Sequence, residues 1–298
     1  MTKLPRISIG MPAYNAAATI GAAIAALLAQ SFGDFELIVS DNASTDATRD
    51  VAEELARRDG RIRYIRHPVN IGANLNYSHA FKCARGEFFK WASSSDWCAP
   101  TFLERCLQAL QPRADAVLAA PRTRLFEGDP SSFRDYAHDI EILDDTPSQR
   151  LSHLMSALHL NNAVNGLIRS AALRGTDLIA PYIGADVVLM GHLALLGKIL
   201  RVDEGLYYRR MEVSTSTALQ DADAKRRHHY PKMSARTLFQ ASKRYWGWLR
   251  SATAAPMSVA ERWRVYRYVA RIIFWGRREL LDDLYGVMRY AAGGFSQR

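Results

Sequence analysis

Short apolar runs alternate with helical stretches along roughly the first hundred residues, and this alternation constrains the fold more than any other feature of the sequence. The apolar runs lie at 7–11, 36–40, 61–66 and 88–92, and the helical stretches lie at 19–30, 51–58 and 74–84. Strands and helices at this spacing form βαβ units around a largely parallel sheet. The sequence therefore predicts an α/β domain. Pro12 lacks the amide hydrogen that a sheet requires, and we expect it to end the first strand.

The second half of the chain predicts fewer and more widely spaced elements. Helices are expected at 149–158 and 187–196, and strands at 164–168, 199–202 and 206–209. Residues 127–147 are acidic and show little periodicity, which indicates a surface excursion. We expect the α/β domain to occupy residues 1–215 and a basic, aromatic-rich helical extension to occupy residues 216–298.

The excess positive charge is confined to the end of the chain. Residues 221–298 contain 16 Lys or Arg and 6 Asp or Glu, whereas the first 220 residues contain 23 basic and 24 acidic side chains. Such asymmetry marks a segment with an anionic partner, such as a membrane surface or a nucleic acid. The sequence contains no zinc-finger spacing, RNA-binding aromatic motif or helix-turn-helix signature, so we expect no nucleic-acid partner.

Cysteine usage and the lack of long apolar runs indicate a cytoplasmic protein. The three cysteines, at 83, 98 and 106, lack metal-ligand spacing and are too few for a disulfide framework. The first residues run directly into a strand pattern without the apolar region of a signal peptide. No apolar run reaches the roughly 18 residues of a spanning helix, so any membrane contact is expected to be peripheral.

Polar segments follow three predicted strands, at 12–15, 41–46 and 93–96. Ligands of parallel sheets bind beyond the carboxyl ends of the strands, so these segments are candidates for a binding site. Four fragments stand at or after these strand ends: Pro12-Ala13-Tyr14-Asn15, Ser40-Asp41-Asn42-Ala43-Ser44-Thr45-Asp46, Asn70-Ile71-Gly72 and Asn76. In order and spacing they resemble the family-two inverting glycosyltransferases of the GT-A fold. The resemblance covers about residues 5–210.

The resemblance implies a nucleotide-sugar site and favours UDP over other nucleotides. Tyr14 would lie against the base, and Asp41 would accept a hydrogen bond from the imide N–H of uracil, since a carboxylate is an acceptor only. The other candidate donor-binding residues are Pro12, Ala13, Asn15, Asn42, Asn70, Gly72, Asn76, Ser94, Ser95, Asp96, Arg209 and Arg210. The residues also allow a purely structural interpretation. Pro12 and Asn15 would then form a turn, and Asp41 and Ser44 would cap a helix.

The segment after the fourth strand departs from the family pattern. Family members carry neighbouring aspartates there, which bind a divalent metal that bridges the donor diphosphate, whereas this chain reads Ser93-Ser94-Ser95-Asp96. Asp96 matches the last of those aspartates, and Ser95 stands where the principal ligand is expected. Mg²⁺ and Mn²⁺ draw most of their affinity from carboxylates, so Asp96 is the candidate metal ligand and metal dependence is left open. A structural role is the alternative for Asp96.

Asp186 is the candidate catalytic base. Inverting transfer needs a group that removes the proton of the acceptor hydroxyl. The run Ile183-Gly184-Ala185-Asp186-Val187 resembles the family step in which an acidic residue opens a helix, with Ala185 in place of the usual Glu. A carboxylate that only caps the helix is the alternative.

Two arginines follow the last predicted strand of the domain. The segment Tyr207-Tyr208-Arg209-Arg210 resembles a family segment that returns to the donor site. Arg209 and Arg210 would bind the diphosphate there through charge-assisted hydrogen bonds. A solvated basic strand end is an equal alternative.

Apolar stripes recur at helical spacing in the extension. The first stripe consists of Trp263, Tyr266, Ala270, Ile273 and Phe274, and the second of Leu280, Leu281, Leu284, Tyr285 and Met288. Aromatic side chains interleaved with Arg predict an interfacial segment, in which residues 225–298 bind an anionic membrane at its inner face. The alternative is that the stripes pack on the catalytic domain and the Arg side chains are solvated.

These observations predict an inverting glycosyltransferase that moves a sugar from a nucleotide sugar, with UDP favoured, to a hydroxyl of a glycan or lipid-linked acceptor. The rival function is a non-catalytic nucleotide-sugar-binding protein with a degenerate metal motif, which acts through its basic tail. An oligomer is compatible with the sequence.

Overall fold

The structure is a computed structural model that describes residues 4–211 and 238–291. Its strands there are β1 Ile7–Ala13, β2 Phe35–Asp41, β3 Ile62–Arg66, β4 Phe88–Trp91, β5 Trp97–Cys98, β6 Ala116–Phe126, β7 Phe133–Asp135, β8 Leu167–Arg169 and β9 Lys198–Arg210. Its helices are α1 Ile20–Leu28, α2 Thr48–Arg58, α3 Ala73–Lys82, α4 Phe102–Leu110, α5 Pro147–Ala157, α6 Ser170–Arg174, α7 Ala185–Leu196, α8 Gln240–Ala254, α9 Val259–Trp275 and α10 Arg277–Ala291.

The sheet is mixed, and its parallel part comes from the beginning of the chain. Within the described ranges the strand order is β3-β2-β1-β4-β8-β6-β9-β5, and β7 pairs with β6. The first four strands of this order run parallel, as predicted, whereas β8 is antiparallel to both of its neighbours. Strands β6 and β9 run parallel to each other, and β5 is antiparallel to β9. The α/β class and the helical C-terminal region are confirmed.

Pro12 does not end β1, contrary to the expectation from the sequence. The strand continues to Ala13, whose carbonyl accepts a hydrogen bond on the side of β2. Alternate residues of a strand direct their backbone groups to opposite neighbours, so Pro12 shares the orientation of Gly10, which faces β4. Because β4 ends at Trp91, opposite Gly10, the missing amide hydrogen of Pro12 costs no hydrogen bond in the sheet.

Two other expectations about strands are corrected by the structure. The strands predicted at 199–202 and 206–209 are one strand, β9, whose register against β6 shifts between Val202 and Gly205. A bulge of this kind lets one strand continue past the polar residues Asp203 and Glu204, which have no register partner in β6. The strand predicted at 164–168 is wrong in its first part, because Asn162–Asn165 form a 3-10 turn and β8 has only three residues.

Helices α8 and α9 belong to the same apolar core as α5 and α7. This core includes Tyr245 and Trp248 of α8 and Val265 and Val269 of α9, each less than a tenth exposed. Trp248 packs on Gly191 of α7, where an added methyl group would collide with the indole ring. The glycine therefore permits the close approach of α8 to α7.

The apolar stripe predicted on α9 is largely exposed. Trp263 is 64% exposed and Phe274 is 62% exposed, whereas Val265 and Val269 form the buried side of the helix. One side of α9 therefore packs on the domain, and the opposite side exposes apolar side chains. Both alternatives stated for the extension apply to this one helix.

Part of the predicted extension lies outside the described residues. This holds for the domain boundary expected at 215 and for residues 212–237 and 292–298. Within the described ranges, no helix is long and apolar enough to cross a membrane. The three cysteines are free thiols.

Trp248→Ala is expected to lower the free energy of unfolding by about 3–5 kcal/mol, because it leaves a cavity between α8 and α7. Trp246→Ala is the matched control, since Trp246 lies on the same helix but is 63% exposed. A change below about 0.5 kcal/mol is expected for the control. Urea unfolding followed by circular dichroism measures both variants, and equal losses would contradict the packing of α8 on α7.

Candidate active site

The carboxyl ends of β1, β2 and β4 meet at one edge of the sheet, where the predicted donor-binding residues gather. The three strands are parallel neighbours, so the loops that follow them share this edge. Pro12 and Ala13 are the buried last residues of β1. The loops that follow the strands contain Tyr14 and Asn15 after β1, Asn42 after β2, and Ser94, Ser95 and Asp96 after β4. This edge is the candidate site.

Tyr14 and Asn15 have different surroundings beyond the end of β1. Asn15 adopts a φ of 49°, a left-handed conformation that Asn tolerates better than most residues. Its amide donates to Ser44 Oγ at 3.0 Å, and its Oδ1 accepts from the Thr45 amide at 2.9 Å. Asn15 therefore fastens the loop after β1 to the loop after β2. The ring of Tyr14 is 49% exposed at the same edge, where a planar ligand can lie against it.

Asp41 is fully buried as the last residue of β2. Its Oδ1 accepts from the Ser44 amide at 2.9 Å and the Ser44 hydroxyl at 2.6 Å, and its Oδ2 accepts from the Tyr64 hydroxyl at 2.6 Å. Arg66 Nε lies 3.5 Å from the same Oδ2. Burial and the Asp41 carboxylate raise the pKa of Tyr64 well above its ordinary value, so its hydroxyl stays a donor. The sequence analysis missed Tyr64 and Arg66, which alternation places on one face of β3.

Asn42, Asn70, Gly72 and Asn76 form the framework beneath this edge. Asn42 Nδ2 donates to Asn70 Oδ1 at 2.8 Å, and that oxygen also accepts from the Gly72 amide at 2.9 Å. Asn76 is buried and exchanges two hydrogen bonds with Ser40, at 2.6 and 2.8 Å. These side chains hold the loop before α3, and α3 itself, against β2.

Asp96 connects the loop after β4 to the end of β9. Its Oδ2 accepts from the Tyr207 hydroxyl at 2.5 Å, and its Oδ1 accepts from the Arg210 amide at 3.0 Å. Burial raises the pKa of Asp96 above its ordinary value, while these two hydrogen bonds favour the charged form. The guanidinium of Arg210 donates to the Ser95 carbonyl at 3.1 Å. Arg210 is therefore fixed to the loop after β4 through both its amide and its guanidinium, unlike a solvated strand end.

The donor set after β4 is a poor match for a resident divalent metal. The segment offers one carboxylate, Asp96, whose two oxygens already accept hydrogen bonds, and the hydroxyls of three serines. No group of three or more His, Cys, Asp or Glu that could hold a metal occurs among the residues that the structure describes. Mg²⁺ and Mn²⁺ depend on carboxylate oxygens, so no reaction step is assigned to a metal here.

Asp186 lies in the first turn of α7 but does not cap it. Gly184 is the N-cap residue, with a φ of 81° that favours glycine, and the helix begins at Ala185. The Asp186 carboxylate accepts instead from Asn161 Nδ2 at 2.9 Å. The amino-terminal end of a helix stabilises a negative charge at this position. Asp186 is thus held as an ionisable group beside a polar side chain from the segment before β8.

Asn161 and Asn162 each carry a buried polar atom that lacks a hydrogen-bond partner within the described part of the chain. These atoms are Asn161 Oδ1 and Asn162 Nδ2. The opposite ends of the two side chains contact the Asp186 carboxylate and Arg209, whose Nη1 donates to Asn162 Oδ1 at 2.5 Å. Unpaired buried polar atoms are uncommon in folded proteins, and these two lie side by side at the candidate site. Neither asparagine carries a periodicity or motif signal in the sequence.

Tyr77 of α3 is influenced by the charges of three predicted site residues. The pKa of its phenol is raised to about 12, chiefly by burial and further by the charges of Asp96 and Asp186, whereas the charge of Arg209 lowers it. All three groups therefore act electrostatically on one side chain. Hydrogen bonds link their segments, because Asp186 and Arg209 contact the adjacent Asn161 and Asn162, and the neighbouring Arg210 contacts Asp96. The sequence analysis missed Tyr77.

Comparison with known proteins assigns the chain to a family. The model of the family described as "Glycosyl transferase family 2" matches residues 8–172, which is more than half of the chain. The putative glycosyltransferase EpsH of Bacillus subtilis is 32% identical over 114 residues, which are 38% of this chain and 33% of EpsH. The UDP-Glc:alpha-D-GlcNAc-diphosphoundecaprenol beta-1,3-glucosyltransferase WfgD of Escherichia coli is 38% identical over 94 residues, 31% of this chain and 36% of WfgD. The chain thus matches about a third of the length of each relative.

Solved structures support the same fold. The crystal structure of S. aureus TarS residues 1–349 in complex with UDP-GlcNAc superimposes with a TM-score of 0.62. The match covers 90% of this chain and 72% of that chain at 17% sequence identity, which establishes similarity of fold alone. The family match, the fold and the motifs at the sheet edge agree, and the chain belongs to glycosyltransferase family 2.

Proposed function

We propose that this protein transfers a sugar from a UDP-sugar donor to a hydroxyl group of an acceptor by single displacement with inversion. The observation that carries the proposal is a pair of adjacent contacts: Asn161 binds the Asp186 carboxylate at 2.9 Å, and Asn162 binds the Arg209 guanidinium at 2.5 Å. A proton acceptor and a cationic group for the leaving diphosphate are the two functions that such a transfer requires.

The nucleotide would bind across the loops after β1 and β2. Tyr14 supplies an exposed ring for the base, and Asn15 holds its loop against Ser44. The imide N–H of uracil would compete with the Tyr64 hydroxyl for Oδ2 of Asp41, next to Arg66. Asn42, Asn70, Gly72 and Asn76 would act on the donor indirectly, by fixing the loop geometry.

The diphosphate would lie between the loop after β4 and the end of β9. Ser94 and Ser95 offer hydroxyl donors, and Arg209 and Arg210 offer guanidinium groups suited to phosphate oxygens. Asp96 would position this region through Tyr207 and Arg210. No metal is assigned to this region, because both oxygens of Asp96 already accept hydrogen bonds from Tyr207 and Arg210.

Asp186 would act as the general base. Its carboxylate would take the proton of the acceptor hydroxyl as that oxygen bonds to the anomeric carbon. The bond from the anomeric carbon to the diphosphate oxygen would break on the opposite side, and UDP would leave with both electrons of that bond. Attack by the acceptor oxygen from the face opposite the departing UDP inverts the anomeric configuration. The unpaired atoms of Asn161 and Asn162 would gain partners from sugar or acceptor hydroxyls.

The acceptor we propose is a hydroxyl of a glycan or of a lipid-linked sugar. WfgD is named for a UDP-Glc donor and an alpha-D-GlcNAc-diphosphoundecaprenol acceptor, and TarS was crystallised with UDP-GlcNAc. A nucleotide-sugar donor and three free cysteines suit a cytoplasmic enzyme that works at the inner face of a membrane.

Asp186→Asn is expected to lower turnover about 10²- to 10⁴-fold, because the amide cannot accept the acceptor proton. Binding of UDP and the thermal unfolding temperature should stay near the wild-type values. Asp203→Asn is the matched control, since its carboxylate is 67% exposed and pairs with surface arginines. Radiolabelled sugar transfer measures turnover. A variant that keeps most of its activity would remove Asp186 from the mechanism, and a wild type that binds UDP without turnover would support the non-catalytic alternative.

Arg209→Ala is expected to weaken binding of UDP at least about tenfold and leave binding of uridine unchanged, because a charge-assisted contact to the diphosphate is lost. Tyr14→Ala should weaken the binding of both UDP and uridine, since it removes a contact to the base. Arg201→Ala, on the same strand but paired with Asp203, is the control. Isothermal titration calorimetry distinguishes the cases, and equal loss of UDP and uridine in Arg209→Ala would place Arg209 away from the diphosphate.

UDP is expected to raise the unfolding temperature more than GDP or dTDP at equal concentration, because bound ligand stabilises the folded state. Much of this shift should persist in EDTA, since Asp96 is the single carboxylate of the 93–96 segment. A differential scanning fluorimetry series with and without Mn²⁺ makes the measurement. A shift that occurs only with Mn²⁺ would show that the metal site is retained despite Ser95, and no shift with any nucleotide would contradict the donor site.

A further inference from the structure

Exposed apolar side chains are concentrated in the C-terminal helices. Ten of the sixteen large apolar side chains that are exposed within the described ranges lie in residues 238–291, about a fifth of those residues. Several of them are more than half exposed, including Val259 at 75%, Trp263 at 64% and Met288 at 65%. Exposed apolar side chains concentrated in this way are typical of an interaction site.

The exposed side of α9 combines an apolar stripe with a row of arginines. Val259, Trp263, Ala270 and Phe274 recur at intervals of four and seven residues, which places them on one face of the helix. Arg264, Arg267 and Arg271 are exposed and occupy the adjacent strip of the same helix. The opposite side is buried against the domain.

Helix α10 carries a second exposed apolar stripe. Leu281, Leu284, Tyr285 and Met288 share its outward side and are each more than half exposed. Its other side is fixed to α8, because Asp283 accepts a hydrogen bond from the Ser242 amide at 2.8 Å. The outward side of α10 therefore has no partner among the described residues.

Arginine and aromatic side chains meet where α9 joins α10. The guanidinium carbon of Arg271 lies 4.8 Å from the ring centre of Trp275, and that of Arg277 lies 4.5 Å from the ring centre of Phe274. These stacked pairs keep the cationic groups at the level of the apolar rings. Arg267, Arg271, Arg277 and Arg278 form no ion pair with any described residue.

We infer that the exposed sides of α9 and α10, centred on Trp263, Phe274, Leu284 and the unpaired Arg267 and Arg271, bind the surface of an anionic phospholipid bilayer. We call this surface the interfacial face. The apolar side chains would enter the boundary between headgroups and acyl chains, and the arginines would contact lipid phosphates. Charge complementarity selects this partner, because a bilayer of anionic lipid supplies the counter-charges that the described chain does not.

The interfacial face is linked through α8 to the turn that carries Asp186. Asp283 of α10 binds the first turn of α8 at Ser242, and in that same turn Gln240 accepts from the Ile183 amide at 2.9 Å. The proposed base is therefore anchored to the helix that α10 also holds. This arrangement suits a lipid-linked acceptor presented at the bilayer surface. The link to an acceptor rests on the proposed function, whereas the inference of lipid binding does not.

The test is co-sedimentation of the full chain with vesicles, in the absence of any sugar donor. The protein should sediment with vesicles of phosphatidylglycerol and phosphatidylcholine, and only weakly with vesicles of phosphatidylcholine alone. Concentrated sodium chloride should reduce the bound fraction, because it screens the arginines. Failure of the wild-type protein to bind the anionic vesicles would overturn the inference.

Paired substitutions identify the surface. Trp263→Ser with Phe274→Ser should weaken binding at least about tenfold through loss of apolar burial. Arg267→Gln with Arg271→Gln should weaken it about fivefold per arginine, whereas Arg267→Lys with Arg271→Lys should retain binding. Leu4→Ser, 63% exposed, and Arg57→Gln with Arg58→Gln, on α2, are the controls that should leave binding unchanged.

The remaining outcomes separate lipid binding from its rivals. An unchanged thermal shift with UDP shows that each variant is folded, and it reports on the donor site independently of the vesicles. Unchanged vesicle binding in both substituted pairs would place the contact elsewhere and overturn the inference. A concentration-dependent dimer that Trp263→Ser dissociates, with no vesicle binding, would instead identify the interfacial face as a contact between two copies of the chain.

Discussion

The hydrogen bonds of Asp96 join the two parts of the sheet on which the candidate site is built. The carboxylate follows β4, in the parallel part, and its two partners, Tyr207 and Arg210, belong to β9 in the other part. Desolvation opposes the charged carboxylate and raises the pKa of Asp96, and these hydrogen bonds offset part of that cost. Because Arg209 lies between the two partners in β9, its place beside Asn162 follows from the same contacts.

The C-terminal helices take part in this architecture. The buried indole of Trp248 packs on Gly191 of α7, and the first turn of α8 holds the backbone at Ile183, just before the turn that positions Asp186. Removing the extension would therefore disturb the proposed base as well as the apolar core. One face of the extension stabilises the domain, and the other presents an apolar and cationic surface to solvent.

The donor half of the site could be predicted from the sequence, because its residues lie in short motifs after regular strands. In the structure several of these residues hold the backbone of the site in place. Asn76, for example, forms two hydrogen bonds with Ser40 of β2. Tyr77, Asn161 and Asn162 could not be predicted. Their partners are far away in the chain, and nothing in their local spacing indicates chemistry.

Local pattern determined the first four strands, the helices between them and the α/β class. Apolar periodicity suffices there because each element buries one face against the next. Only the tertiary structure decided that Pro12 lies within β1, that β9 is continuous, and which side of α9 is buried. Those outcomes depend on where a neighbouring strand ends or which helix packs alongside, and contacts between distant segments leave no periodic signal in the sequence.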